Sequence, residues 1–367
     1  MPDPASEFRH AVAASLDGAA DAVTAWRSLG RCGVLGQVTA GLCEGAAVDV
    51  SRLDDFLAEL DARFPPGVTL SMCVQVATVI PLLRLAGGSG GGIADQVLKR
   101  MIGGESLVAL AATDADTSGS DLLDIRTAVS QDGDRPILNG GKAWITNAGQ
   151  CDYILTLARR RTARHFTSLG WVLVPAGHPG ISFKPATSEL FYGAAVGHLS
   201  FTDVQLEPGW LIGRPGRALA DFALTIAVER LAGALWARAL CRRVLADTHR
   251  FLRHRQAGEG CLWDNAAIRE TFARCVVEWH RLDAMCARYG DNVPRPGPAM
   301  VLKAACSQSV ERILSACVQL RGAEAFRDGG LSSLREQAMM FGIAGGATGA
   351  MLAGVAERVA ELLGVPG

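Results

Sequence analysis

The alternation of apolar and polar positions divides the chain into three zones. Residues 1–105 are patterned as helices, with candidates at 11–33, 50–63 and 70–85. Ser51, before Leu53 and Phe56, is positioned as an N-cap for the second. A glycine-rich turn over 87–92 leads into a further helix, 93–102. Residues 106–212 change period. Short runs rich in β-formers (106–111, 125–129, 136–139, 153–157, 171–174 and 198–201) alternate with turn signals. Asp132-Gly133 and Asn139-Gly140 are hairpin-type dipeptides, and Pro175 to Gly180 reads as a loop. Residues 213–367 return to helical spacing. Leu219, Phe222, Ile226, Leu231 and Leu235 form one stripe, 266–288 and 299–320 are two more long segments, and 347–363 is a final helix. The order predicts an α+β protein: an N-terminal helical domain, a middle antiparallel β barrel or sandwich, and a C-terminal four-helix bundle.

Composition narrows the function classes. The chain has 367 residues, 49% of them hydrophobic, enough for a large core. Lys and Arg total 36 against 37 Asp and Glu, so bulk charge gives no reason to expect nucleic acid or an anionic membrane as partner. The ten cysteines are scattered, with no C-x-x-C and no Cys/His pair at zinc spacing. That usage predicts free thiols and a cytoplasmic home. The apolar run 70–86 is interrupted by Gln75, Pro81 and Arg84, and reads as a buried helix rather than a span.

Several motifs fail. No G-x-G-x-x-G follows a strand, and no phosphate-binding G-x-x-x-x-G-K-[ST] occurs. Gly87-Gly-Ser-Gly-Gly91 fits G-x-S-x-G in letters only, because a helix precedes it where a nucleophile elbow needs a strand. Arg159, Arg160, Arg161 and Arg164 form a basic cluster. It is either a solvated hairpin tip or a contact for the phosphates of a CoA tail or the acidic helix of a carrier protein.

One block is specific. Thr113-Asp-Ala-Asp-Thr-Ser-Gly-Ser-Asp121 is followed by Ile125-Arg-Thr127 and then Asn139-Gly-Gly-Lys-Ala-Trp-Ile-Thr-Asn147. A loop of hydroxyls and free backbone N–H groups suits a pyrophosphate, and a Trp beside a Thr suits a planar ring. The block resembles the signature of the acyl-CoA dehydrogenase family, with one extra loop residue and Asp114 where the family has Glu. Further likeness runs in order: 199–204, Glu229-Arg230-Leu231, 318–326 with Gln319 and Gly322 matching, and Arg335-Glu336 in place of Arg-Asp. The resemblance implies FAD, with Ser120 at the pyrophosphate, Thr113 and Thr146 at the isoalloxazine edge and Trp144 on the ring. Gln319, near the adenine, and Gly322 would also serve FAD, and an arginine at the end of the first bundle helix would reach a neighbouring subunit's FAD. His254 holds that arginine's position, and Arg253 or Arg255 could substitute. A homodimer or homotetramer is thereby implied. So are an acyl thioester on CoA or carrier protein as substrate, as in secondary metabolism, and an electron acceptor such as an electron-transfer flavoprotein or oxygen.

The base departs from the pattern. Most family members carry a catalytic Glu eight to ten residues past the Arg-Asp pair, and here that position is Ala344. Members such as the isovaleryl and long-chain types carry it in an E-R-L sequence on the first bundle helix, which Glu229-Arg230-Leu231 matches. Glu229 is therefore the candidate base for α,β-desaturation. A flavin monooxygenase or oxidase on the same fold, or a silent scaffold subunit, are the alternatives. The family's P-E-x-[YF]-G-G turn is unrecognisable at 39–46, which fits an unusual acyl group.

Overall fold

The computed structural model describes residues 4–40, 49–87, 91–117, 119, 121–132, 135–188, 190–289, 293 and 295–365. Helices α1 (Pro4–Leu16), α2 (Ala22–Arg31), α3 (Val34–Thr39) and α4 (Val50–Arg63) open the chain. The single helix expected over 11–33 is divided, because Gly18 turns the chain at φ 77° and Asp21 starts a new helix. The Asp21 carboxylate accepts from Thr24 N, and the Thr24 hydroxyl accepts from Asp21 N. The N-cap of α4 is Asp49, not Ser51. Asp49 accepts from Arg52 N, and Ser51 lies inside the first turn and donates to Asp49.

The apolar run forms one continuous helix, Pro66–Gly87, made of α5 (Pro66–Val74), a π segment (Gln75–Val79) and α6 (Ile80–Gly87). By length and composition alone it could cross a membrane, but most of it is buried inside this fold. Its interior polar residue explains how. Gln75 donates to Val108 O at 2.7 Å and accepts from Val108 N at 3.0 Å, so its amide acts as a strand neighbour to the sheet. Helix α7 (Ile93–Ile102) completes the layer.

The sheet comprises β1 (Val108–Ala111), β2 (Ala128–Asp132), β3 (Arg135–Ile145), β4 (Tyr153–Arg159), β5 (Leu169–Pro175), β6 (Ile181–Pro185), β7 (Gly197–Gln205) and β8 (Leu211–Ile212). Its order is β6-β7-β3-β2-β4-β5-β8, with β1 added beside β4. It is mixed rather than wholly antiparallel, because β1 and β4 run parallel from Val108↔Tyr153 to Ala111↔Thr156. Asn139-Gly140 is not a turn. It is a bulge within β3, and Gly140 has φ 142°. A Cβ at Gly140 would lie 2.6 Å from Thr127 Cα, so the bulge admits only glycine.

Helix α8 (Ala218–His254) follows, then a small hairpin of β9 (Gln256–Ala257) and β10 (Gly260–Cys261). Helices α9 (Ala266–Ala287), α10 (Pro296–Arg321), α11 (Leu331–Ala338), α12 (Thr348–Ala356) and α13 (Val359–Leu363) end the fold. The bundle has three long helices, and its fourth member is broken into α12 and α13 instead of running unbroken over 347–363. Prolines at the start of α10 fall in its first turn, where a missing N–H is tolerated. Helix α8 is the common axis: α4, the π segment, α9 and α10 all pack on it. Trp171 Nε1 of β5 donates to Ala218 O and seats the start of α8 on the sheet.

Polar contacts fix α4 to α8. Asp61 accepts from Arg243 at 2.8 and 3.1 Å and from Trp236 Nε1 at 3.1 Å. Arg238 joins Asp54 to Asp283. Asp61→Ala leaves an indole and a half-buried guanidinium without acceptors, and is expected to cost roughly 3 kcal/mol. A thermal melt of this variant that superimposes on wild type would show that the α4–α8 contact does not depend on this carboxylate.

Candidate active site

Strand β3 and the loop over 113–127 are joined around one buried ion pair. Lys142 Nζ donates to Asp114 Oδ1 at 2.5 Å and to Ala112 O at 2.9 Å. The second carboxylate oxygen accepts from Arg126 N at 2.5 Å and Thr127 N at 2.8 Å, and the Thr127 hydroxyl adds a bond to Oδ1 at 2.9 Å. Both side chains are removed from solvent. Burial pushes the Lys142 ammonium down to about 8, against the pull of Asp114. Backbone bonds from Ala143 N to Thr113 O and from Ala115 N to Gly141 O continue the seam, so Thr113 lies beside the residue preceding Trp144. Asp114, met in the sequence as a departure from the family's Glu, thus organises the loop.

The far end of the loop is held by the basic cluster. Arg159 donates to Leu123 O, Ile125 O and Ala163 O, and Arg164 pairs with Asp121 at 2.8 Å and Asp124 at 2.7 Å. Two of the four arginines are therefore committed to this loop. The cluster is a solvent-exposed hairpin tip between β4 and β5, with Arg164 61% exposed even while paired, and Arg159 and Arg164 tie that tip to the loop. Arg160 and Arg161 are exposed.

Trp144 sits in a bulge between β3 and β7 at φ 58°, with its ring 61% exposed and its face turned edgewise to His198 at 5.5 Å. A left-handed backbone at a bulky residue costs on the order of 1–3 kcal/mol, and such strain collects at functional sites. Thr146 is half-buried beside it. The following residue, Asn147, anchors the segment to α5: Ser71 Oγ donates to its Oδ1 at 2.5 Å, and its Nδ2 donates to Ser71 O at 3.2 Å. Ser120 lies outside the described residues, as do 41–46 of the turn expected at 39–46.

Glu229 lies on α8 where it crosses the π segment. Thr78 Oγ1, within that segment, donates to Glu229 Oε2 at 2.5 Å. The 342–347 stretch passes directly over the carboxylate. Ala344 is exposed, but its neighbour Gly345 faces Glu229: a Cβ there would lie 2.9 Å from Oε1. Gly345 has φ 69°, and Arg230 Nε donates to its carbonyl at 3.1 Å. Burial pushes the Glu229 carboxyl above the usual carboxylate range, opposed by the Thr78 bond and by Lys303 and Arg230.

The remaining predicted residues gather elsewhere. Arg255, Gln319 and Gly322 line one surface groove of about 490 Å³ with Phe251 and Ile268. His254 is tied to its own helix, its Nδ1 lying 2.7 Å from Arg250 O. Arg321 stands over the Phe251 ring, a cation at this groove that the sequence did not single out. The groove lies at the C-terminal end of α8, and the opposite end is seated on the sheet. A helix of this length spans about 55 Å.

Two family models match the chain: the acyl-CoA dehydrogenase middle domain over residues 109–204 and the C-terminal domain over 219–360. The chain belongs to the acyl-CoA dehydrogenase family. Isovaleryl-CoA dehydrogenase of Pongo abelii is 28% identical over 236 residues, covering 63% of this chain and 55% of that protein. L-prolyl-[peptidyl-carrier protein] dehydrogenase of Serratia is 27% identical over 193 residues, covering 52% and 49%. The aligned segments thus span about half the length of these relatives. The solved glutaryl-CoA dehydrogenase of Mycobacterium smegmatis in complex with FADH2 superposes with a TM-score of 0.83 at 20% identity, over 98% of this chain and 95% of that one. The acyl-CoA dehydrogenase fold is shared along the whole chain.

Within that fold Thr113, Trp144 and Thr146 lie at or beside the C-terminal end of the central strand β3, and Glu229 lies at the α8–π crossing. Arg255, Gln319 and Gly322 lie at the distant groove. Thr78 escaped the sequence reading because it sits inside an apolar run. Lys303 left a faint signal, as the one charge within Met300–Cys306. Asp114→Ala strands the Lys142 ammonium and unties Thr127, and is expected to cost about 3–5 kcal/mol. Calorimetry checks this, and a variant as stable as wild type would remove the ion pair from its organising role.

Proposed function

We propose that the protein is an FAD-dependent dehydrogenase that introduces an α,β double bond into an acyl thioester, with Glu229 as the base. The observation that carries this reading is the close approach of the Glu229 carboxylate to Gly345, whose Cβ position would lie 2.9 Å from Oε1, beside the position where most of the family places its catalytic Glu. A base on α8 therefore reaches the same region as one on the loop. The raised affinity of Glu229 for protons brings it toward what α-proton abstraction requires. The α-C–H bond breaks as an O–H bond forms on Glu229. Thr78 orients the carboxylate, and the buried helix behind it excludes water.

The residues present fit the cofactor. The open Trp144 ring, held in a strained bulge, offers a wall for a flat heterocycle, and the hydroxyls of Thr113 and Thr146 are assigned to the edge of that heterocycle. Bound FAD supplies the hydride acceptor. Ser120 is assigned to the pyrophosphate. Arg255, Gln319 and Gly322 are assigned to the adenine-bearing half of FAD in a second subunit, since about 55 Å of helix separates their groove from the sheet. The protein is accordingly proposed to act as a homodimer or homotetramer. The likeness to a prolyl-carrier-protein dehydrogenase supports a carrier-protein handle alongside CoA. An electron-transfer flavoprotein or oxygen completes the turnover. The retained carboxylate at 229 disfavours a monooxygenase or a silent scaffold.

Anaerobic bleaching of the bound flavin, run against CoA and carrier-protein thioesters, tests the function. Glu229→Gln should slow bleaching by about 10²–10⁴-fold while the flavin spectrum is kept. Bleaching at the wild-type rate would exclude Glu229 as the base. Because the ionised form is the active one, the wild-type rate should fall as pH drops through the raised Glu229 value, at higher pH than an ordinary carboxylate would give. Separately, Arg255→Ala with Gln319→Ala should release flavin on dilution and gel filtration. Unchanged retention would show that the distant groove does not hold FAD.

A further inference from the structure

Lys303 is a buried cation with no part in the chemistry above. It is 6% exposed, in the first third of α10, and its Nζ donates to Phe341 O. Phe341 is itself buried against Trp236, ring centroids 5.0 Å apart, so the carbonyl that Lys303 grips is a fixed point. Four residues later the same stretch reaches Gly345. The Cβ position of Gly345 is 2.9 Å from Glu229 Oε1 and 3.9 Å from Lys303 Cε. The lysine stem and the carboxylate therefore flank one glycine.

The groups facing Glu229 come from four elements. Thr78 bonds it from the π segment, and Cys73 approaches from α5. Arg230, next to it on α8, is committed to Gly345 O. From α10 come Lys303 and, behind it, Cys306. Burial pushes both thiols up, Cys306 to about 11, so they stay neutral and leave the two cations as the carboxylate's counter-charges. Of these, Lys303 is the more deeply buried, and a charge acts over a longer reach where solvent is excluded. Burial also pushes the Lys303 ammonium down, with Glu229 among the groups opposing that shift.

We propose that Lys303 is a positioning residue for Glu229. Its ammonium keeps the carboxylate ionised in the resting protein, and its bond to Phe341 O sets the 341–345 stretch on which the carboxylate rests. This rests on the reading of Glu229 as base for its place in the reaction, but the coupling between the two residues is measurable without it. If Lys303 were only a peg for Phe341 O, any donor of similar length would replace it.

The test is an infrared pH titration of the flavin-loaded full chain. The carboxyl stretch of Glu229 is identified by its loss in Glu229→Gln. Lys303→Gln, which keeps a donor but no charge, and Lys303→Met, which keeps neither, should each raise the Glu229 midpoint by about one pH unit or more, and Lys303→Arg should not. The acid limb of anaerobic bleaching should move with the midpoint. A wild-type midpoint in Lys303→Gln overturns the proposal, whatever the stability of Lys303→Met. Bleaching by Glu229→Gln at the wild-type rate would instead overturn the base assignment, and the infrared titration would still decide the coupling.

Discussion

Removing a carboxylate from water costs several kcal/mol unless other groups take the solvent's place, and the centre of this protein is organised by that cost. Glu229 sits where α8, the π segment, α10 and the 342–347 stretch meet, and three of these bring it a polar or positive group. The π segment is part of the arrangement. A helix with one widened turn sends Thr78 toward α8 and Gln75 toward the sheet within four residues, which ties the carboxylate's hydrogen bond to the docking of β1. The catalytic reading of Glu229 and the seating of the N-terminal layer on the sheet thus depend on one stretch of backbone.

The sheet solves a second problem of the same kind. Asp114 and Lys142 are buried at the base of the loop over 113–127. The pair has its lone pairs and protons met by Thr127, Arg126 N and Ala112 O, so it acts as a rigid rivet. Arg159 and Arg164 fix the other end of the same loop.

Much of this was legible in the sequence. The long helices, the strand-rich middle and the Thr113–Thr146 block follow from periodicity and from residues close together in the chain. What was not legible depends on partners far apart. The role of Asp114 needs Lys142, 28 positions on, and that of Glu229 needs Thr78, 151 positions back. The ties of Arg159 and Arg164 to the loop were hidden because most of their acceptors lie 34 to 43 residues earlier. Strand β6 was missed because four of its five residues are exposed, which removes the buried alternation that announces a strand. Asn139-Gly140 misled for a related reason: the backbone freedom that makes a turn also makes a bulge.

Gly345 bears on how such a site could change over time. Its Cβ position lies within reach of Glu229 Oε1, so any side chain there must displace the carboxylate. Its left-handed backbone adds a strain penalty for any other L-residue. Substitutions at 229 and 345 are therefore not independent. A carboxylate at position 345 would meet Glu229 head-on, as a like charge in a buried space. The family's loop position, Ala344, is exposed one residue earlier and does not face this obstacle. The constraint falls on the glycine, which must stay bare for as long as the carboxylate is carried on α8.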